Sequence, residues 1–141
     1  MKRGEHRVAE TTATHYVVST AKSVPEALSA VEKSLASRQF GVLWHLDINE
    51  KLSEKGLSPV APFHVLEVCS APRARQALTT TQEVGYFLPC KVVVYQTDDH
   101  QTRIGLLRPR LMTDLLGDER LRPLAEEVEG ILTAAIEEAA N

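Results

Sequence analysis

Residues 90–108 constrain the fold of this chain more than any other stretch. Cys90–Thr97 is rich in β-branched residues, Thr102–Arg108 is a second apolar run, and only Asp98-Asp99-His100-Gln101 separates them. Two β-forming runs joined by a short polar connection read as a hairpin, so these two strands are antiparallel neighbours. Pro109 follows and ends the second strand, because it has no N–H to continue a ladder.

The clearest helix lies upstream. Ser23-Val24-Pro25-Glu26 is a capping box with proline in the first turn. Val24, Ala27, Leu28, Val31 and Leu35 then recur at helical spacing and form one apolar stripe that ends near Arg38. A β-rich run around Tyr16–Thr20 precedes it. Phe40–Ile48 follows as a strand, with Val42, Trp44, Leu46 and Ile48 expected on one side and Leu43, His45 and Asp47 on the other. Asn49 is placed to cap a short helix over Glu50–Lys55. Phe63–Cys69 reads as a further strand, and Ser70 as the cap of a helix over Ala71–Thr80. After the hairpin, Leu111–Leu116 forms a short helix. A last helix runs from near Pro123 to about Ala140, with Leu124, Val128, Ile131, Leu132, Ala135 and Ile136 as its stripe and glutamates on its outer face.

The element order is therefore β-α-β-(α)-β-α-β-β-α. It implies an α+β fold: a mostly antiparallel five-stranded sheet with helices packed on one face, in a ferredoxin-like or TBP-like arrangement. Residues 1–13 are polar and aperiodic and read as a flexible tail, leaving residues 14–141 as a single domain, a usual size for one. A sheet with helices on one face has a second face to cover, and a homodimer is the common solution.

Charge and hydropathy narrow the partners. The net charge of −3 argues against a dedicated nucleic-acid binder. No apolar run approaches the ~20 residues of a membrane helix, and no apolar segment follows Met1-Lys2-Arg3 as in a secretory leader. The expected location is the cytoplasm, where Cys69 and Cys90 are reduced thiols.

Four segments together carry a resemblance. They are Gln39–Leu43 leading to Asp47-Ile48-Asn49, His64–Pro72, Gly85–Tyr95, and the Pro109 and Leu111 that follow the last strand. With Val68-Cys69 before a helix and Leu88-Pro89-Cys90 opening a strand, the chain resembles the domain-of-unknown-function family numbered 302 over roughly residues 14–115. The resemblance implies a small α/β domain that assembles as a homodimer, and it brings no established activity. The family places Asn then Pro directly after the first cysteine, whereas here Ser70 and Ala71 precede Pro72.

Chemistry is confined to a few residues. Cys69 and Cys90 have neither Cys-x-x-Cys spacing nor the spacing of zinc ligands. They read as small hydrophobes at strand ends, or as reactive thiols and catalytic candidates, Cys69 being at a helix edge. If their strands are antiparallel neighbours, both lie at the same end of the sheet. His45 and Asp47 alternate on one strand, Glu67 and Cys69 on another. Were those sides to coincide, the four would supply ligand types for a divalent metal. Arg73, in an arginine-bearing helix, completes the ligand-binding candidates His45, Asp47, Glu67, Cys69 and Arg73. His15, His64 and His100 read as isolated histidines with local hydrogen bonds. No Gly-rich phosphate loop, Gly-x-Ser-x-Gly elbow or His-Glu-x-x-His occurs, so the motifs name no cofactor and leave it unknown. The expected function is a homodimeric module that binds a small molecule or divalent metal. The alternatives are a thiol-dependent enzyme or sulfur carrier using Cys69 or Cys90, and a structural protein that docks through its acidic last helix.

Overall fold

Side chains that alternate along the middle strands, and helices that bury one stripe each, determine the layering. The computed structural model describes residues 8–141. Its strands are β1 (Ala9–Thr11), β2 (His15–Thr20), β3 (Gly41–Asp47), β4 (Phe63–Cys69), β5 (Cys90–Gln96) and β6 (Thr102–Leu107). Its helices are α1 (Val24–Ala36), α2 (Ile48–Glu54), α3 (Ala71–Thr80), α4 (Arg110–Leu116) and α5 (Arg122–Ala140), with short 3-10 turns at Gln82–Tyr86 and Glu119–Leu121. The strands form one sheet in the order β1-β2-β6-β5-β4-β3, and every neighbouring pair is antiparallel.

The sheet thus has six strands, not the five expected. The extra strand, β1, comes from the segment read as a flexible tail, of which residues 1–7 lie outside the described residues. Ala9 pairs with Val18 and Thr11 with Tyr16, and the Val8 N–H donates to Ser19 Oγ at 2.7 Å. Three residues without apolar alternation carry no strand signal of their own; the free edge of β2 supplies it.

One face of the sheet is the core. Leu66, Val68, Val92, Val94, Ile104 and Leu106 are buried there beneath Ala27, Val31 and Leu35 of α1 and Leu132, Ala135 and Ile136 of α5. The capping box of α1 is formed as the sequence implies, with Ser23 Oγ accepting from the Glu26 N–H and Glu26 accepting from the Ser23 N–H. Polar contacts hold the two long helices in place. Ser34 Oγ donates to the Ala135 carbonyl at 2.8 Å, Arg38 meets Glu138 at 2.8 Å, and Thr20 Oγ1 donates to the Ala140 carbonyl at 2.8 Å. Tyr16 donates to Glu137 at 2.6 Å. Burial, together with this carboxylate, pushes the Tyr16 phenol up to about 12.

Three local expectations are corrected. Val42 pairs with Val68 but Trp44 pairs with Glu67, so two steps on β3 match one on β4 and the strand bulges at Leu43. Val42 therefore shares the core side, while Trp44 and Leu46 pair with Glu67 and Val65 on the other. Asp47, not Asn49, caps α2, its Oδ1 accepting from the Asn49 and Glu50 N–H groups. Asn49 instead bonds the Val60 backbone at both its polar atoms. Ser70 makes no side-chain cap bond to α3; its Oγ accepts from Arg73 at 3.3 Å.

The opposite sheet face is paved with apolar and aromatic groups. Phe63 stacks on Tyr95 with centroids 5.2 Å apart, Val65 pairs with Val93, and Trp44 is 54% exposed beside the Glu67–Lys91 ion pair. At Gly105 a Cβ would meet the Tyr16 carbonyl at 3.4 Å, Val93 Cγ2 at 3.5 Å and Val17 Cβ at 3.6 Å, all ordinary contacts. No helix among the described residues is long and apolar enough to cross a membrane.

Truncating the fully buried Leu132 to alanine is expected to cost about 2–5 kcal/mol in urea unfolding. Leu43→Ala, at the 63% exposed bulge, is expected to change stability by less than about 0.5 kcal/mol. Equal effects would mean that the core is not where the helices meet the sheet.

Candidate ligand cleft at the end of the sheet

The bulge at Leu43 decides the fate of the four residues considered as metal ligands. His45 and Asp47 pair with Leu66 and His64, on the core side of the ladder, whereas Glu67 and Cys69 pair with Trp44 and Gly41 on the opposite side. His45, Asp47, Glu67 and Cys69 are therefore divided between the two faces. Among the described residues, no group of three or more His, Cys, Asp or Glu side chains converges to hold a metal ion. Three of the four have local work. Asp47 caps α2, and Glu67 accepts from Lys91 Nζ at 2.7 Å. His45 Nε2 lies 2.8 Å from His64 Nδ1, with the two rings 5.0 Å apart. Burial pushes the His64 imidazole below its ordinary value, against the attraction of the Asp47 carboxylate and with His45 adding to the burial.

The cysteines are brought together. β4 and β5 are antiparallel, with Val68 opposite Cys90, so Cys69 and Cys90 sit at the same end of the sheet. Both are free thiols and half-buried. They line one cleft of ≈ 60 Å³ whose other walls include Phe40, Ala74 and Ala77 of α3, Phe87, Met112 of α4 and Leu124 of α5. Burial first, and then the nearby Cys69 and Glu67, push the Cys90 thiol up to about 11. At neutral pH Cys90 is thus a neutral, poorly nucleophilic thiol.

Arg73 stands at the cleft with its charge already engaged. Its Nη2 meets Glu127 at 2.8 Å, Nη1 donates to Ser70 Oγ, and the guanidinium lies 5.9 Å from the Phe40 ring centre. Arg108, also lining the cleft, binds Glu129 at 2.9 Å and the Thr12 carbonyl at 2.8 Å. The surface offered to an occupant is apolar carbon and two sulfurs. Phe40, Phe87 and Met112 escaped the sequence reading because nothing in their spacing marks them; a shared cleft exists only once β4 and β5 are paired.

The sequence profile of the family described as Domain of unknown function DUF302 matches residues 15–139. The chain belongs to the DUF302 family. The match extends past the 14–115 span of the resemblance to take in α5. An uncharacterized conserved DUF302 protein from Bacillus stearothermophilus, known from a crystal structure, is 38% identical with a TM-score of 0.84. The likeness covers 89% of this chain and 97% of that one. No curated protein matches the chain. As a DUF302 domain it carries an α+β fold with an open antiparallel sheet, in a family whose function is unknown.

The state of Cys90 can be measured. Its alkylation by iodoacetamide in the folded protein should keep accelerating until about pH 11, whereas in the unfolded chain it should level off near 9.0. A folded-state plateau near pH 9 would mean that burial does not hold the proton. The raised value carries a stability consequence: the contribution is present below pH 9.0 and is lost as pH rises through about 11, because the unfolded thiol ionises first.

Proposed function

We propose that this DUF302 chain is a homodimeric binding module whose ligand site is the apolar cleft at the ends of β4 and β5. The observation that supports it is the meeting of Cys69 and Cys90, from separate strands, in one cleft walled by apolar side chains. Predominantly apolar walls with a few placed polar groups are the usual make-up of a small-molecule site. The ≈ 60 Å³ volume is small beside the ~150 Å³ cavity that admits benzene. The occupant is therefore a few-atom apolar molecule, or it inserts only one end.

The same geometry ranks the alternatives. A thiol-dependent enzyme or sulfur carrier needs a thiolate, and the burial of Cys90 opposes one. A docking role for the acidic face of α5 is weakened because Glu127, Glu129 and Glu138 are already paired with Arg73, Arg108 and Arg38. A metal held by His45, Asp47, Glu67 and Cys69 has no support from their division between faces.

Dimerisation draws its support from the uncovered sheet face. Trp44, Leu46, Phe63, Val65, Val93 and Tyr95 lie there around the Glu67–Lys91 pair, so the patch is apolar with its central charges neutralised and can meet a copy of itself. Two free thiols suit a reducing cytoplasm, and the −3 charge does not favour nucleic acid. Of the two finer fold types, the TBP-like reading is supported by the strand order, since β3, β4 and β5 each pair with the next strand in sequence, whereas a ferredoxin-like β-α-β-β-α-β sheet pairs only its two middle strands consecutively.

Two experiments test this. Xenon titrated onto the protein should shift the methyl NMR signals of Val68 and Ala77, and Ala74→Phe, which fills the cleft, should abolish the shifts while leaving Tm within a few degrees. Shifts that persist in this variant would sink the cleft as the site. In light scattering the wild type should have about twice the 15.6 kDa chain mass, and Val65→Glu should reduce it to one chain. A wild-type protein already at one chain mass would remove the dimer.

A further inference from the structure

The edge ladder between β3 and β4 holds a cluster that the cleft does not use: His45, His64 and the carboxylate of Asp47. We infer that His45 and His64 form a two-nitrogen chelate for a divalent transition ion of the Ni(II) or Cu(II) kind. The donors select this class, because imidazole nitrogens suit nickel and copper, and Cu(II) heads the divalent series at nitrogen sites. His45 Nε2 and His64 Nδ1 are 2.8 Å apart. Two imidazole nitrogens bound at ~2.05 Å lie about 2.9 Å apart when they subtend 90° at the metal, and about 3.3 Å apart at a tetrahedral angle. The two nitrogens are thus close enough to take adjacent positions on one ion once the rings have turned.

The backbone holds this bite. Asp47 is directly opposite His64 and His45 opposite Leu66, so the two histidines are diagonal neighbours on one side of the ladder. Asp47 Oδ1 anchors the next turn by capping α2, and its charge acts on His64, adding attraction for a cation without being a ligand. His45 is exposed, so an ion can enter and water can fill the remaining positions. Among the described residues, no third His, Cys, Asp or Glu joins the set. Binding needs a lone pair on both facing nitrogens. The ring that donates in the present hydrogen bond therefore moves its proton to its other nitrogen, and both rings turn until the lone pairs meet at the ion, with no net proton released.

The test is calorimetric titration of the full chain with nickel chloride in a non-chelating buffer, with Tm recorded for every variant. The expected result is one ion per chain, and binding weaker by about tenfold or more in both His45→Gln and His64→Gln, since each removes one arm of the chelate. His6→Gln, His15→Gln and His100→Gln should leave binding unchanged. The inference is overturned if either His45→Gln or His64→Gln binds nickel as the wild type does, or if the His6, His15 or His100 variants lose binding equally. A variant with lowered Tm is replaced by His45→Asn or His64→Asn, read by the same criteria.

Discussion

Backbone hydrogen bonding between β4 and β5 sets Val68 opposite Cys90 and Leu66 opposite Val92. Because side chains alternate with a period of two, this one register sends Leu66, Val68, Val92 and Val94 into the core and Val65, Glu67, Lys91 and Val93 to the other face. It also puts both thiols at one end of the sheet. A slip of a single residue would exchange the faces, burying the Glu67–Lys91 pair under α1 and α5 and presenting aliphatic side chains to water. The helices are thus selective for the register: their stripes fit only the face that Leu66 and Val92 build.

Much of this order was visible before any coordinates. The β5–β6 hairpin, the capping box of α1, the stripe of α5 and the span of α3 follow from local chemistry, in which the determining residues are adjacent or one helical turn apart. What escaped is non-local. β1 consists of three residues whose strand conformation comes from the edge of β2. The bulge at Leu43 is a property of a pair of strands, and no residue in Gly41–Asp47 announces it. Asp47 won the α2 cap from Asn49 because the strand ended one step earlier, which freed Asn49 to bond the Val60 backbone.

The candidate site divides in the same way. That Cys69 and Cys90 share a sheet end was conditional on antiparallel pairing, and the pairing is antiparallel. The grouping of His45 and Asp47 with Glu67 and Cys69 assumed a regular strand, and the bulge separates them. In its place stands a contact that the sequence hides, since His45 and His64 are nineteen positions apart and meet only through the ladder. Arg73 lines the cleft, but its charge is taken up by Glu127, so it braces α3 against α5.

The attachment of β1 bears on how the chain behaves in a crowd. β2 would otherwise be an outer strand, and its unpaired N–H and C=O groups would form a template for strand addition from another molecule. Val8–Thr11 occupies that template from within, bonded to Ser19 and laid along Tyr16–Val18. Arg108 secures the segment by reaching the Thr12 carbonyl while it holds Glu129 of α5. The polar stretch that looks dispensable is therefore a guard strip: a chain trimmed to begin at Thr14 would keep its core and its cleft, yet trade solubility for edge-to-edge association.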